Sequence, residues 1–186
     1  MTTAVRLTEL QQRKLNRRFE LFDTDGNGFI ERSDLEEIAR NLCATYDPDM
    51  RSAAAHKVYS AYLNTWEQVM VPMDINSDGK ISRDEFMTGT AQQTKTPEDY
   101  GRAFRPIIEA VTELCDRDGD GALNAEEFTS WLRACRVASG DADMVFAKLD
   151  RDGDGTLTVD ELTMAFQEYW TSSDPDARGN WLFGPF

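Results

Sequence analysis

The chain has 186 residues and a formal net charge of −14, from 34 acidic and 20 basic residues, with a single histidine, His56. That balance excludes a nucleic-acid backbone as partner and offers no basic cluster to an anionic membrane surface. One histidine leaves no histidine-based acid–base pair and no multi-histidine metal site, so no catalytic residue is assigned and an enzyme is not expected.

Met1–Arg6 lacks an apolar leader and no run approaches a membrane span, so a cytoplasmic protein without membrane insertion is expected. Leu7, Leu10, Leu15, Phe19 and Phe22 recur at near-helical spacing and predict a helix over 8–22. An acidic loop follows at 23–34, with Asp23, Asp25 and Asn27 at alternate positions, Phe29 seventh and Asp34 twelfth. Val58, Tyr59, Tyr62, Trp66, Val69 and Met70 mark a second helix, which Pro72 is expected to kink. The loop at 74–85 repeats the design with Asp74, Asn76, Asp78, Lys80 and Glu85. Thr96 then reads as a helix cap with Pro97 at the first helical position, and Phe104, Ile107, Ile108, Val111 and Leu114 supply the stripe. The third loop, 116–127, carries Asp116, Asp118, Asp120, Ala122 and Glu127; the fourth, 150–161, carries Asp150, Asp152, Asp154, Thr156 and Glu161. Trp131 and Leu132 follow the third loop, Val145, Phe146 and Leu149 precede the fourth, and Phe166, Tyr169 and Trp170 follow it. Such stripes are read as core.

A hard cation that wants six to eight oxygens, Ca²⁺ above all, accounts for this spacing. Side-chain oxygens at positions 1, 3 and 5 converge, the backbone carbonyl of position 7 (Phe29, Lys80, Ala122, Thr156) adds another, and a carboxylate at position 12 closes the shell. Gly28, Gly79, Gly121 and Gly155 stand at the sharp turn. Ile30, Ile81, Leu123 and Leu157 at position 8 suit a short β-bridge between loops, and Leu35, Phe86, Phe128 and Leu162 start the buried face of each exiting helix. Isolated Asp-Gly turns are common on surfaces, but four copies sharing the terminal carboxylate and both apolar positions are not explained that way. The loops hold 18 of the 34 acidic residues, so the charge is local to them; four divalent ions, +8, would bring −14 to −6. A metal-free chain is expected to be loosened by carboxylate repulsion. Asp34 is one methylene shorter than Glu, so magnesium competition is expected, most at the first loop, with Glu31 compensating at position 9.

These loops resemble the calcium loop of EF-hand proteins. The resemblance implies an all-α fold: four EF-hands (helix-loop-helix) in two pairs, a compact single unit with short β-bridges between paired loops. The expected divisions are an N-terminal pair at 1–93, a C-terminal pair at 94–170, and a tail at 171–186 whose apolar end, Trp181–Phe186, folds back over a cleft. Loop starts 51, 42 and 34 residues apart, the opening Met1-Thr-Thr-Ala4, Asp34, and Leu182-Phe183-Gly184 in the tail together resemble the sarcoplasmic calcium-binding protein group and its bacterial calerythrin-like members. That group implies a cytoplasmic calcium buffer or transporter with up to four Ca²⁺. Relatives with a degenerate second loop differ from this chain, where Asp74, Asn76, Asp78 and Glu85 form a complete set.

A sensor that exposes apolar surface to a protein partner is the alternative. Nineteen aromatics against seven scattered methionines favour a closed protein instead. A luciferin-binding relative is a third class, weakened by the single histidine. No protein partner is indicated, and a monomer is expected. Cys43, Cys115 and Cys135 are expected as buried free thiols.

Overall fold

The helix that leaves each loop starts inside it, because the ninth residue of the loop is a helix cap and the twelfth is the third residue of the helix. The computed structural model describes residues 7–92 and 96–186; Met1–Arg6 and the expected division at 93/94 lie outside them. In the second, third and fourth loops Ser82, Asn124 and Thr158 accept a hydrogen bond from the backbone N–H of Glu85, Glu127 and Glu161, and those glutamates accept one back from the cap's own N–H. Each reciprocal pair satisfies two amide donors that a helix start leaves open. The same carboxylate is the expected ligand, so folding the exiting helix already places it.

The elements in order are α1 (Glu9–Phe22), β1 (Phe29–Ile30), α2 (Arg32–Tyr46), α3 (Ala53–Thr65), β2 (Ile81–Ser82), α4 (Arg83–Gln92), α5 (Pro97–Cys115), β3 (Ala122–Leu123), α6 (Ala125–Ala134), α7 (Ala142–Leu149), β4 (Leu157–Thr158) and α8 (Val159–Thr171). The expected fold class is borne out. Thr96 caps α5 as its sequence predicts, with Pro97 at the start of α5, while Thr8, expected as the first helical residue, is the cap of α1. Pro72 distorts its helix without ending it early. The α3 helix widens into a π turn at Trp66–Met70, then tightens into a 3-10 turn at Val71–Met73. Both changes accommodate a ring that lacks an N–H and crowds the carbonyl four residues back.

Two antiparallel bridges join the loops pairwise. Ile30 pairs with Ile81, and Leu123 with Leu157, so the eighth positions of paired loops face each other. Helix α5 packs against α3 and α8, α1 against α4 and α8, and α2 against α3, and the buried apolar residues form one continuous cluster. Trp170 of α8 is its joint. Its ring stacks on Tyr100 and Phe104 of α5 at 5.7 and 5.2 Å and meets the edge of Phe86 of α4 at 6.0 Å. Phe86 in turn contacts Phe19 and Phe22 of α1. An aromatic chain thus runs from the first helix to the last. The three cysteines are free and buried.

The tail packs onto α8 and α1. Gly179 lies so close to α8 that a Cβ there would fall on the Ala165 carbonyl oxygen, and its N–H donates to Glu168 Oε2 at 2.7 Å. Leu182 and Phe183 are fully buried. Phe183 meets Tyr169 edge-on at 4.9 Å and Phe166 at 5.6 Å. Two cations of α1 that the sequence would place at the surface are buried beneath it, Lys14 and Arg18. Lys14 Nζ donates to the Glu168 and Ser172 carbonyls and to Asn180 Oδ1, at 3.1, 2.9 and 2.8 Å, tying α1 to the end of α8 and to the tail. Burial pushes its pKa down to about 8, against an upward pull from Glu168.

Candidate metal centres

All four loops are held by the same hydrogen bonds, made from the side chains expected as ligands. One oxygen of the first residue accepts from the N–H of the sixth: Gly28 to Asp23, Gly79 to Asp74, Gly121 to Asp116 and Gly155 to Asp150, at 2.9 to 3.1 Å. The third residue accepts from the fifth (Asp25 from Asn27, Asn76 from Asp78, Asp118 from Asp120, Asp152 from Asp154). The fifth accepts from the seventh (Asn27 from Phe29, Asp78 from Lys80, Asp120 from Ala122, Asp154 from Thr156). These Asx turns fold each loop around a common centre and fix which oxygens face it. The twelfth residue spans the loop, bonding one oxygen to an N–H near the entry and the other to the N–H of the cap. Glu127 does so with Arg117 and Asn124 at 2.7 and 3.0 Å, Glu161 with Arg151 and Thr158 at 3.0 Å each.

Asp34 reaches the same two positions despite its shorter side chain, accepting from Thr24 N–H and hydroxyl at 2.9 and 2.7 Å and from Glu31 N–H at 2.7 Å. Glu31 faces the Asn27 amide at 3.4 Å. Carboxylate oxygens gather within 4.8 Å of one another in three loops: Asp23, Asp25 and Asp34; Asp116, Asp118 and Glu127; Asp150, Asp152 and Glu161. In the second loop the third position is Asn76, an amide, so the same trio of carboxylates is not present there. That loop carries Ser77 in a left-handed conformation, φ 59°, where the other three have glycine, and Glu85 bonds to both the Ile75 and Asn76 amides.

The donor set suits a hard divalent cation. Asp23 is buried and its Oδ1 has no hydrogen-bond partner, and an isolated buried carboxylate oxygen is costly unless it meets a cation or a donor. Hydrogen bonds from Ser82 lead in holding the Glu85 carboxylate below its usual pKa, helped by the Asn76 and Ile75 amides. At Asp116 burial works against ionisation, but the amides of Gly121, Gly119 and Asp120 outweigh it. Both groups are therefore anionic at neutral pH.

Two contacts from outside the loops and one between loops had no signal in the sequence. Arg136, in the turn after α6 with φ 64°, donates to the Asp23 carbonyl at 2.8 Å, so the C-terminal half braces the first loop. Arg178 of the tail reaches the Asp150 carbonyl at 3.3 Å. Lys80 lies 3.8 Å from the Phe29 ring centre, joining loops one and two beside their β-bridge.

Three family descriptions match these segments: an EF-hand domain pair over residues 12–91, an EF hand over 114–132, and an EF-hand domain over 141–172. The chain resembles the solved structure of a Streptomyces coelicolor calcium-binding protein, with 32% identity, a TM-score of 0.79, and coverage of 87% of this chain and 98% of that one. The chain belongs to the EF-hand calcium-binding proteins. Within them it is similar to calerythrin and the sarcoplasmic calcium-binding proteins. It is 28% identical to calerythrin of Saccharopolyspora erythraea over 148 residues, 78% of this chain and 81% of that protein. The amphioxus sarcoplasmic calcium-binding protein, 22% identical with a TM-score of 0.76 over 97% of this chain and all of that one, shares the fold. Among the described residues no helix is long and apolar enough to cross a membrane.

Proposed function

We propose that this protein is a cytoplasmic calcium buffer or carrier, monomeric and without a catalytic step, that takes up to four ions. Calcium ions are its only assigned partner. The ligands in each loop are the side-chain oxygens of positions 1, 3, 5 and 12 and the carbonyl of position 7, from Asp23 to Asp34, Asp74 to Glu85, Asp116 to Glu127 and Asp150 to Glu161. Magnesium competes most at the first loop, where Asp34 is short. The bound ion supplies positive charge at the centre of each loop, and the loop's own hydrogen bonds hold the oxygens in place beforehand. In this reading 1–93 and 94–170 are the two working pairs, and 171–186 keeps the joint between them shut.

The observation that carries the proposal is the closure of the core: Leu182 and Phe183 are fully buried, and the large exposed apolar side chains among the described residues are four, Val71, Ile75, Met144 and Met164. A buffer has no use for a calcium-exposed apolar face. A sensor is the second reading, favoured because the Streptomyces coelicolor protein is described as a basis for prokaryotic calcium-mediated regulation. Fluorescence of an apolar-surface dye, read with and without calcium, separates the two. A buffer gives a signal that falls or stays flat on calcium addition; a rise on calcium addition refutes the proposal.

A further inference from the structure

Helix α6 ends in a turn that usually carries glycine, and here the residue is arginine. Val137 N–H bonds to the Leu132 carbonyl and Arg136 N–H to the Arg133 carbonyl, both at 3.0 Å, the pair of bonds that closes a helix through a left-handed residue. That residue is Arg136, at φ 64°, where a side chain costs conformational energy that glycine does not. Backbone held there by its surroundings points to a use for the side chain. The turn is fixed from its far side as well. Val137 is buried, and a Cβ on Gly184 of the tail would lie 3.2 Å from its Cγ1.

The Arg136 side chain leaves its own half of the molecule. Its guanidinium donates to the Asp23 carbonyl at 2.8 Å. Asp23 is both the C-cap of α1 and the first residue of the first loop, so that carbonyl belongs to the set a helix end leaves open. Helix α1 has no basic residue in its last turn, and Arg136 brings from α6 the cation that such an end favours. The bond fixes the backbone of a buried aspartate whose carboxylate lies with those of Asp25 and Asp34. At its other end the same helix carries Glu127, third residue of α6 and twelfth of the third loop. Unbroken helix from Ala125 to Ala134, about 15 Å long, joins the two ends.

We propose that Arg136 is a positioning residue of the first calcium site and the link through which that site answers to the third. The inference rests on the calcium assignment of loops one and three and goes beyond it by joining the two halves. With the third loop filled, the repulsion among Asp116, Asp118 and Glu127 is neutralised, the start of α6 is held, and Arg136 stays on Asp23. With it empty, those carboxylates push apart, the start of α6 loosens and the brace weakens. By reciprocity, filling the first loop favours the third by the same factor. The guanidinium charge also repels the first ion, but that repulsion acts on affinity whether the third loop is filled or empty. The coupling is what the brace supplies.

The full chain, isotope-labelled and followed by NMR as calcium is added, reports each loop through the amide of its sixth residue, Gly28 for the first and Gly121 for the third. Glu127→Gln should move the Gly28 midpoint to roughly fivefold higher calcium, over the range where Gly121 shows the third loop still empty; this is the low end of coupling between sites, because Arg136 is exposed. Arg136→Met keeps the strained turn and loses the brace, and Arg136→Gly loses both. In each, Glu127→Gln should leave the Gly28 midpoint where it was. Arg136→Lys, which retains a charged donor, should restore most of the shift. A capping role alone predicts another pattern: Arg136→Gly raises the urea midpoint, and the Gly28 response to Glu127→Gln persists. Persistence of that response in Arg136→Met and Arg136→Gly, or its absence in the wild type, overturns the proposal. A Gly28 amide that ignores calcium in every variant removes the first site itself and the inference with it, and is told apart because no midpoint exists to compare.

Discussion

Truncating Phe183 to alanine removes the ring that holds the tail against both halves of the core. The side chain is fully buried, packs edge-on against Tyr169 at 4.9 Å and Phe166 at 5.6 Å, and covers one face of the Arg18 guanidinium at 4.0 Å. Core Phe→Ala changes cost about 3–5 kcal/mol through lost transfer energy and the cavity left behind. The two ring pairs and the cation–ring contact push toward the upper end. Opening the hole lets water reach Arg18, which returns part of that, so a loss of about 3 kcal/mol is expected. Set against a typical domain stability of about 5–15 kcal/mol, the change is large. Urea unfolding in saturating calcium, followed by far-UV dichroism and tryptophan fluorescence together, measures it. Phe183→Leu, which keeps most of the volume, should cost under about 1.5 kcal/mol. A Phe183→Ala loss below about 1 kcal/mol would refute the reasoning, since it would mean that the tail is not part of the core.

Glu127→Gln and Glu85→Gln should each remove one equivalent from a calorimetric calcium titration, because an amide nitrogen replaces a ligand oxygen; a count unchanged by Glu85→Gln refutes ligation at the second loop. Asp34→Glu should raise the calcium-over-magnesium preference of the first site several-fold, and identical selectivity in competition titrations would sink that account. Chelation should collapse the near-UV dichroism of the aromatic core, as carboxylate clusters such as Asp116, Asp118 and Glu127 repel once unneutralised; an intact signal argues against it. Lys14 has a folded pKa of about 8 against an ordinary value of 10.5, so between those values the unfolded chain binds more protons and stability contributed at this site rises with pH. The stability of wild type minus Lys14→Met should be flat below pH 8 and climb by a total on the order of 3 kcal/mol toward pH 10.5. The buried tyrosines and cysteines cancel in that difference, and a flat difference across the window contradicts the assignment.

The loops were legible because their information is local. Twelve contiguous residues specify the turn, the Asx hydrogen bonds, the cap and the ligand set at once, so the pairing of Ile30 with Ile81 and of Leu123 with Leu157 followed from position alone. The helix start at Thr96 was equally readable, since a hydroxyl three residues before an acceptor side chain completes a reciprocal cap, and the first helix was readable from its apolar stripe. Pro72 announced a distortion but not its form, because whether a helix breaks, bends or widens depends on what packs around it. The second loop has an amide, Asn76, where the other three have a third-position carboxylate, so the trio of carboxylates at positions 1, 3 and 12 that gathers in those loops is not available to it. Its fourth residue, Ser77, is left-handed like the glycines at that position in the other three loops, so the turn itself is shared.

The tertiary structure decided what distant segments do to one another. Nothing in α1 distinguishes Lys14 and Arg18 from solvent-facing cations until α8 and the tail close over them. Nothing near Arg136 points to the first loop 113 residues away, whose Asp23 carbonyl it braces. The sequence by itself determined the four oxygen-lined loops, their pairwise bridging and the family to which they belong, because each is written within a dozen neighbouring residues. A closed unit and a folded-back tail were expected from the sequence, but only the folded chain determined which rings join the two pairs, that Leu182 and Phe183 are the tail residues that complete the core, and that an unpaired guanidinium lies inside. Those outcomes depend on which surfaces exclude water together, and no short stretch of sequence holds both sides of such a contact.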